Sequence, residues 1–485
     1  MLPDRFATLL VALSLTVLFS LPASALDLRL PDLGSSAGAI MTPQQEAKLG
    51  KAFMRSVRHN QAVLDDPVID DYIQDLGNRL VEASDAKGSR FHFFVIDNHE
   101  INAFAGPGGY IGVYTGLITT TQTESELAAV LAHEIAHVTQ KHLLRAWESA
   151  SNMTIPNAAV LLAAIAIGAV AGGDAGLAAA SAGQAAFLQE QINFTRANEQ
   201  EADRVGIDIL ARAGFDANAM AAFFSRMGKA NRVYATKLPE FLLTHPVTTS
   251  RIADALGRAG THPYHQPKDD LRYHLVKARL ALRNETDPLG RARTLKRQLA
   301  EGRYQNRIAT EYQRALALEQ GDRPRAARTI LRGLLEHSPD TLEFVYELAW
   351  VEQAMGQAEE ALALLRKAAD RHPASRTLAL AHAELAIAQG KPSEAISRLR
   401  RYREYAPEEP RVYELLARAS GALGDRAEAH RYQAEYHYLN GDLEEAILQL
   451  EIALRTKSLD FYESSRLESR LATLRRELKA QKKRE

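Results

Sequence analysis

Apolar positions along the chain fall into runs of different length and period. Residues 6–21 (FATLLVALSLTVLFSL) are almost continuously apolar, follow Arg5, and lead to the small-residue site Ala23-Ser24-Ala25. A basic flank, a short apolar core and an A-x-A site predict a signal peptide over 1–25, cut after Ala25. The run is short for a membrane span. No cysteine follows the site, which excludes lipid attachment there. After the linker at 26–40, Thr42-Pro43-Gln44-Gln45 predicts a helix start: Thr42 caps it, Pro43 suits its first turn, and Gln45 completes a capping box. Residues 90–97 (RFHFFVID) predict a strand. A Gly-Pro-Gly-Gly turn at 106–109 precedes YIGVY, a second strand-like run, and the pattern from Glu124 through His142 is helical. A further apolar run, AAVLLAAIAIGAVAGG at 158–173, is short and rich in Ala and Gly. It predicts either contact with a bilayer surface or a buried helical hairpin.

The last 180 residues follow another rule. Gly321, Gly356, Gly390 and Gly424 recur at 34–35 residues, each followed five places later by Ala326, Ala361, Ala395 and Ala429. Pro339, Pro373 and Pro407 recur at 34. Small residues where paired helices touch, with Pro at the unit end, are the tetratricopeptide pattern. Gly441 and Ala446 repeat it after half a period, predicting an irregular last unit, and 268–302 reads as a degenerate pair at the front. Such arrays build concave surfaces for protein partners; a stack that merely supports the preceding domain is the plainer alternative. The basic end KAQKKRE reads as a solvated tail.

A chain of 485 residues predicts two or three domains, and 46% hydrophobic with 25% charged residues marks it as globular. The net charge of −1 gives no field that would draw it to nucleic acid. The absence of cysteine removes thiol chemistry and leaves only His, Asp and Glu to bind a metal. The pattern predicts a mainly α chain with a small β-sheet: a first domain at 26–265, for which the residues below point to a metalloprotease, then a tetratricopeptide solenoid at 266–485.

The metal reading rests on HEIAH, residues 133–137. His133 and His137 stand one above the other on a helix and can grip one ion. Glu134 is turned about 100° away, placed to hold a water without displacing it. Zinc acidifies such a water to a pKa of about 7, and the carboxylate takes its proton during attack on a peptide carbonyl. A third ligand is required. A third histidine in the H-x-x-G-x-x-H continuation is excluded, because Gln140 and Leu143 stand where Gly and His are needed. His142 is one place short and reads as a solvated residue near the helix end. ANEQEADRVGIDIL at 197–210 offers acids instead. Glu199 and Asp203 share a face, so one can bind metal while the other orients a ligand histidine; Glu201 points about 200° away from Glu199.

HEIAH, the E-x-x-A-D of Glu199–Asp203 and the upstream NAFAGPGGYIGVYTGL resemble the zinc peptidase family of HtpX-like and CAAX prenyl proteases, over about residues 40–255. The resemblance implies one Zn2+ held by His133, His137 and Glu199, with Glu134 as general base and Asp203 as a residue that orients a ligand or donates a proton. Thr244-His245-Pro246 with Arg251 resembles the THP…R segment of soluble members. It implies His245 near the metal as a fourth ligand, a switch that leaves the enzyme latent until the loop moves. YIGVY reads as an edge strand on which an extended substrate can add itself, or as plain scaffold. An export signal, a zinc peptidase and a repeat array in one chain resemble a family of periplasmic proteases of outer-membrane protein assembly. That implies a chaperone-like zinc endopeptidase that promotes assembly of β-barrel proteins, degrades stalled ones, and meets the assembly machinery through its repeats. The alternative is a non-proteolytic adaptor with a plugged or structural zinc site.

Overall fold

The computed structural model describes residues 41–143, 196–233, 240–456 and 459–482. The expected signal peptide and the apolar run at 158–173 lie outside the described residues. Among the described residues no helix is long and apolar enough to cross a membrane.

Helix α1 (Pro43–Asn60) begins on the expected capping box. The Gln45 amide donates to Thr42 Oγ1 at 3.2 Å and the Thr42 amide donates to Gln45 Oε1 at 2.8 Å. Helix α2 (Pro67–Glu82) is capped by Asp66, whose Oδ1 accepts from the Val68 amide at 3.2 Å. Strands β1 (His92–Ile96), β2 (Ala103–Ala105) and β3 (Tyr110–Tyr114) form a sheet in the order β1-β3-β2. β1 runs parallel to β3 with His92 opposite Tyr110, and β2 runs antiparallel with Ala103 opposite Val113. YIGVY is therefore the central strand, buried at every residue, and not the edge expected for it. A strand covered on both faces and paired on both sides needs apolar residues throughout, which is what YIGVY supplies.

Alternation sends the strand side chains to two cores. Phe93, Val95, Ile111 and Val113 join the larger core with α2, and Phe94, Ile96, Tyr110 and Tyr114 pack on α1. A short helix, α3 (Thr115–Thr120), leads into α4 (Glu124–Thr139), whose residues are all buried from Glu124 to His137. α4 stops at Thr139, short of the expected His142, because Lys141 takes φ 55° and turns the chain out of the helix. Helices α5 (Arg196–Arg212), α6 (Ala219–Val233), α7 (Glu240–Thr244) and α8 (Thr249–Ala259) complete this part. Gly206 brings α5 close to α4: a Cβ there would lie 3.2 Å from the backbone of His133.

Next, α9 (Leu271–Leu280) serves two cores, with Tyr273 and Val276 in the first and Leu275 and Ala278 in the second. Helices α10 (Pro288–Ala300), α11 (Arg307–Gln320), α12 (Pro324–His337), α13 (Leu342–Ala354), α14 (Ala358–Arg371), α15 (Arg376–Ala388), α16 (Pro392–Tyr402), α17 (Pro410–Ala422), α18 (Arg426–Leu439), α19 (Leu443–Leu454) and α20 (Phe461–Lys482) follow in sequence. Gly356, Gly390 and Gly424 take φ of 79°, 69° and 81° at the turn inside a pair, where a side chain would be strained. The first turn departs from expectation. Asp322, not Gly321, holds the left-handed position at φ 56°, and Ala327, not the exposed Ala326, is the buried small residue. Counted from Asp322 the period is 34 throughout.

The array grips the N-terminal part through charge. Ser375 Oγ and the amides of Arg376 and Thr377 donate to the Asp71 carboxylate on α2 at 2.9–3.2 Å. Arg376 reaches Asp65 at 2.8 Å, Asp70 at 3.1 Å and Glu409 at 3.1 Å. Arg279 and Arg272 on α9 pair with Asp66 and Asp75 at 2.6 and 2.7 Å. Near the C-terminus, Arg58 of α1 donates to the Leu439 carbonyl and Arg55 pairs with Glu477 at 2.8 Å. Support of the N-terminal part is thus part of what the repeats do.

Candidate metal centre

Three elements bring seven charged or titratable side chains to one place, all between 1% and 4% exposed. α4 supplies His133, Glu134 and His137; α5 supplies Glu199 and Asp203; the segment running from the end of α7 into the first turn of α8 supplies His245 and Arg251. One atom each from His133, His137, Glu199 and His245 lies within 4.8 Å of the others. His133 Nε2 and His137 Nε2 are 3.0 Å apart, and His133 Nε2 lies 3.3 Å from His245 Nδ1. Glu199 stands 3.5 Å from His133 Nε2, 3.4 Å from His137 Nε2 and 3.2 Å from His245 Nδ1. A tetrahedron with metal–ligand bonds of 2.0–2.1 Å has edges of about 3.4 Å. Three imidazoles and one carboxylate at this spacing fit a divalent cation. The donor set is the kind zinc takes.

The surroundings hold these groups in place. Arg251 donates from Nε and Nη2 to both oxygens of Asp203 at 2.7 Å, and from Nη1 to the Pro246 carbonyl at 2.8 Å. The same guanidinium lies 2.9 Å from Glu199 Oε2. Asp203 Oδ1 is 3.0 Å from His133 Nδ1, an ion-pair contact off the hydrogen-bond axis. Phe241 stacks on His245 at 5.0 Å between ring centres, and the Phe241 amide donates to the Ile101 carbonyl just before β2. Arg251 lies over the Phe224 ring at 4.8 Å, so aromatic rings cover the charged groups.

Burial and charge pull the titratable groups apart. Burial alone would lower His133, but Asp203 and Glu199 outweigh it and push the imidazole up to about 10. Burial dominates at His137, which falls to about 3 against the pull of Glu199. Burial would raise Glu199, yet His245 and the two other histidines hold its carboxyl well below the usual range. Burial pushes Glu134 up, with His245 and His133 opposing it. Glu134 Oε1 is a buried acceptor with no hydrogen-bond donor among the described residues; His245 Nε2 is 3.5 Å away.

Two expectations fail here. His142 is not solvated: it is fully buried, with Nδ1 2.8 Å from His137 Nδ1 and Nε2 3.1 Å from Glu201 Oε2. Glu201 does leave Glu199's face, as its angle requires, and turns toward His142. Arg251 enters the sequence pattern only as part of a segment, and its bidentate hold on Asp203 has no signal in the spacing. The outer strand beside α4 is β2, not YIGVY.

Known proteins agree with this organisation. The model of Peptidase family M48 matches residues 67–259, and a tetratricopeptide-repeat model matches 352–419. The beta-barrel assembly-enhancing protease of Yersinia pestis is 36% identical over 478 residues, 97% of each chain. Its counterpart from Escherichia coli (strain K12) is 34% identical over 469 residues, 97% of this chain and 96% of that one. The mitochondrial metalloendopeptidase OMA1 of Bos taurus is 35% identical over 156 residues, 31% of this chain and 29% of its own. The chain belongs to the family of beta-barrel assembly-enhancing proteases and is a metallopeptidase of the M48 type with tetratricopeptide repeats.

Proposed function

We propose that this chain is an exported, periplasmic zinc endopeptidase that cleaves misassembled outer-membrane β-barrel proteins and helps others assemble. The observation that carries the reading is the convergence of four donor atoms within 4.8 Å beside a buried carboxylate oxygen that no donor satisfies among the described residues. His133, His137 and Glu199 would hold Zn2+, which supplies Lewis acidity toward water and a peptide carbonyl. Glu134 then takes the proton of the attacking water, and Asp203 with Arg251 keeps His133 oriented. The outer strand β2 lies against α4 and pairs on one side only among the described residues, so an extended chain added to its other side would pass Glu134 with little demand on sequence. The repeats at 266–485 would meet the assembly machinery. Export rests on the signal at 1–25, and membrane contact through 158–173 is a further proposal.

His245 favours a latent state. It occupies the place where a fourth ligand belongs, and its loop is tied down through Phe241 and Arg251. A non-proteolytic adaptor with a permanently plugged site is the second reading, supported by the same contact. Cleavage of an unfolded outer-membrane barrel protein separates them, with wild type, Glu134→Gln and His245→Ala compared and zinc counted in each. The expected result is one zinc in all three, cleavage by wild type that rises in His245→Ala, and a loss of about 10²–10⁴-fold in Glu134→Gln. Zinc in all three with no cleavage by any of them would support the adaptor.

A further inference from the structure

His142 is a buried histidine beside the donor cluster that the cluster does not use. It is reached through Lys141, whose φ of 55° is unusual for a residue with a side chain. That turn folds the chain back, so that His142 meets His137 on Nδ1, the ring atom opposite the one facing Glu199 and His133. Its other nitrogen, Nε2, faces Glu201 on α5, the helix that also carries Glu199.

The order of groups dictates where the protons sit. A carboxylate only accepts, so Glu201 draws the His142 proton to Nε2. A neutral imidazole protonated at Nε2 has a bare Nδ1, which accepts. His137 must then carry its own proton on Nδ1, leaving the Nε2 lone pair directed at His133 and Glu199. We propose that Glu201 and His142 form a positioning relay that fixes the tautomer and ring angle of His137, while the Asp203 carboxylate, 3.0 Å from His133 Nδ1, acts on that imidazole by charge without an intermediary. Each ligand histidine of α4 would thus answer to a carboxylate of α5, one directly and one through a second imidazole. The relay rests on the reading of His137 as a metal ligand.

The test is the zinc dissociation constant of the full mature chain, read by competition with a chromogenic chelator, with the melting temperature of the zinc-free protein measured beside it. His137→Ala checks the ligand reading. If that variant binds zinc like wild type, the underlying assignment is wrong. With that assignment intact, His142→Ala and Glu201→Gln should each weaken zinc by about 10–100-fold. The double variant should be no weaker than His142→Ala alone, because both act through one chain of bonds. His142→Asn keeps an acceptor toward His137 but has no atom to reach Glu201. It should bind within about fivefold of wild type and make Glu201→Gln silent, an outcome that loss of packing would not produce. If His142→Ala does not fold, the Asn and Gln variants carry the test. Additive effects, or zinc affinity unchanged by Glu201→Gln while His137→Ala loses it, would overturn the relay.

Discussion

Two buried arginines show how differently the same kind of contact can be used. Arg376 of the repeats lies among Asp65, Asp70 and Glu409, and Arg251 lies between Asp203 and Glu199. Around Arg376 the carboxylates are dispersed over several elements, and the neighbouring Asp71 accepts from Ser375, Arg376 and Thr377. Around Arg251 two carboxylates share one guanidinium, and the remaining acceptors and imidazoles point at a single spot. The first arrangement is a dispersed set of ion pairs. The second gathers four possible ligand atoms at one place. Burial of charge does not identify a metal site; convergence of three imidazoles and a carboxylate on one spot does.

Removing each arginine with and without zinc puts that contrast at risk. Arg251→Ala should destabilise the chelator-treated protein by about 3–5 kcal/mol, since it strands Asp203 and Glu199 in a dry site, and much less when zinc supplies charge. Urea unfolding in both states reads the difference. Arg376→Ala should cost about 3 kcal/mol whether or not zinc is present, because its carboxylates lie outside the centre. Equal zinc dependence in the two variants would erase the distinction drawn between the regions.

A smaller effect probes how the centre is assembled. A Cβ at Gly206 would stand 3.2 Å from the His133 backbone, so Gly206→Val forces α5 away from α4. We expect a loss of about 1–3 kcal/mol in stability and weaker zinc binding, measured by melting and chelator competition. The smallest effect belongs to the repeat junction. Burial raises the Asp70 carboxyl well above its usual range, although Arg376 opposes it. A carboxyl raised by folding contributes stability that is complete below the unfolded pKa of about 3.9 and is lost as pH rises through the folded value. Asp70→Asn should therefore match wild type near pH 4 and be up to about 1 kcal/mol more stable at pH 7.5, read from melting at the two pH values.

Much of the molecule is legible in its sequence because chemistry or repetition imposes a spacing. HEIAH places two imidazoles on one helix face, E-x-x-A-D places two carboxylates on another, and Thr42 with Gln45 announces a helix start. The repeats are legible as a period, although Gly321 and Ala326 sit one place before the positions that matter. Asp322 can take the left-handed turn because its short polar side chain tolerates it, and no glycine rule reports that. His142 escapes helical arithmetic, which ends at Lys141, where the backbone leaves the helix. The role of Arg251 is hidden because its partner Asp203 is 48 residues away, and only the fold brings them together. YIGVY does carry a readable signal, since a strand apolar at every position belongs inside a sheet. The grip of Arg272, Arg279 and Arg376 on α2 leaves no trace in either half of the chain read separately.

The whole centre stands on His133, His137, Glu199 and His245 closing on one ion. Zinc-edge X-ray absorption of the full mature protein reads this without an activity assay, with His245→Ala measured beside wild type. We expect a four-coordinate zinc with N and O atoms at about 2.0–2.1 Å, three imidazoles in wild type and two in the variant. Two imidazoles in both proteins, or no zinc in either, would contradict it.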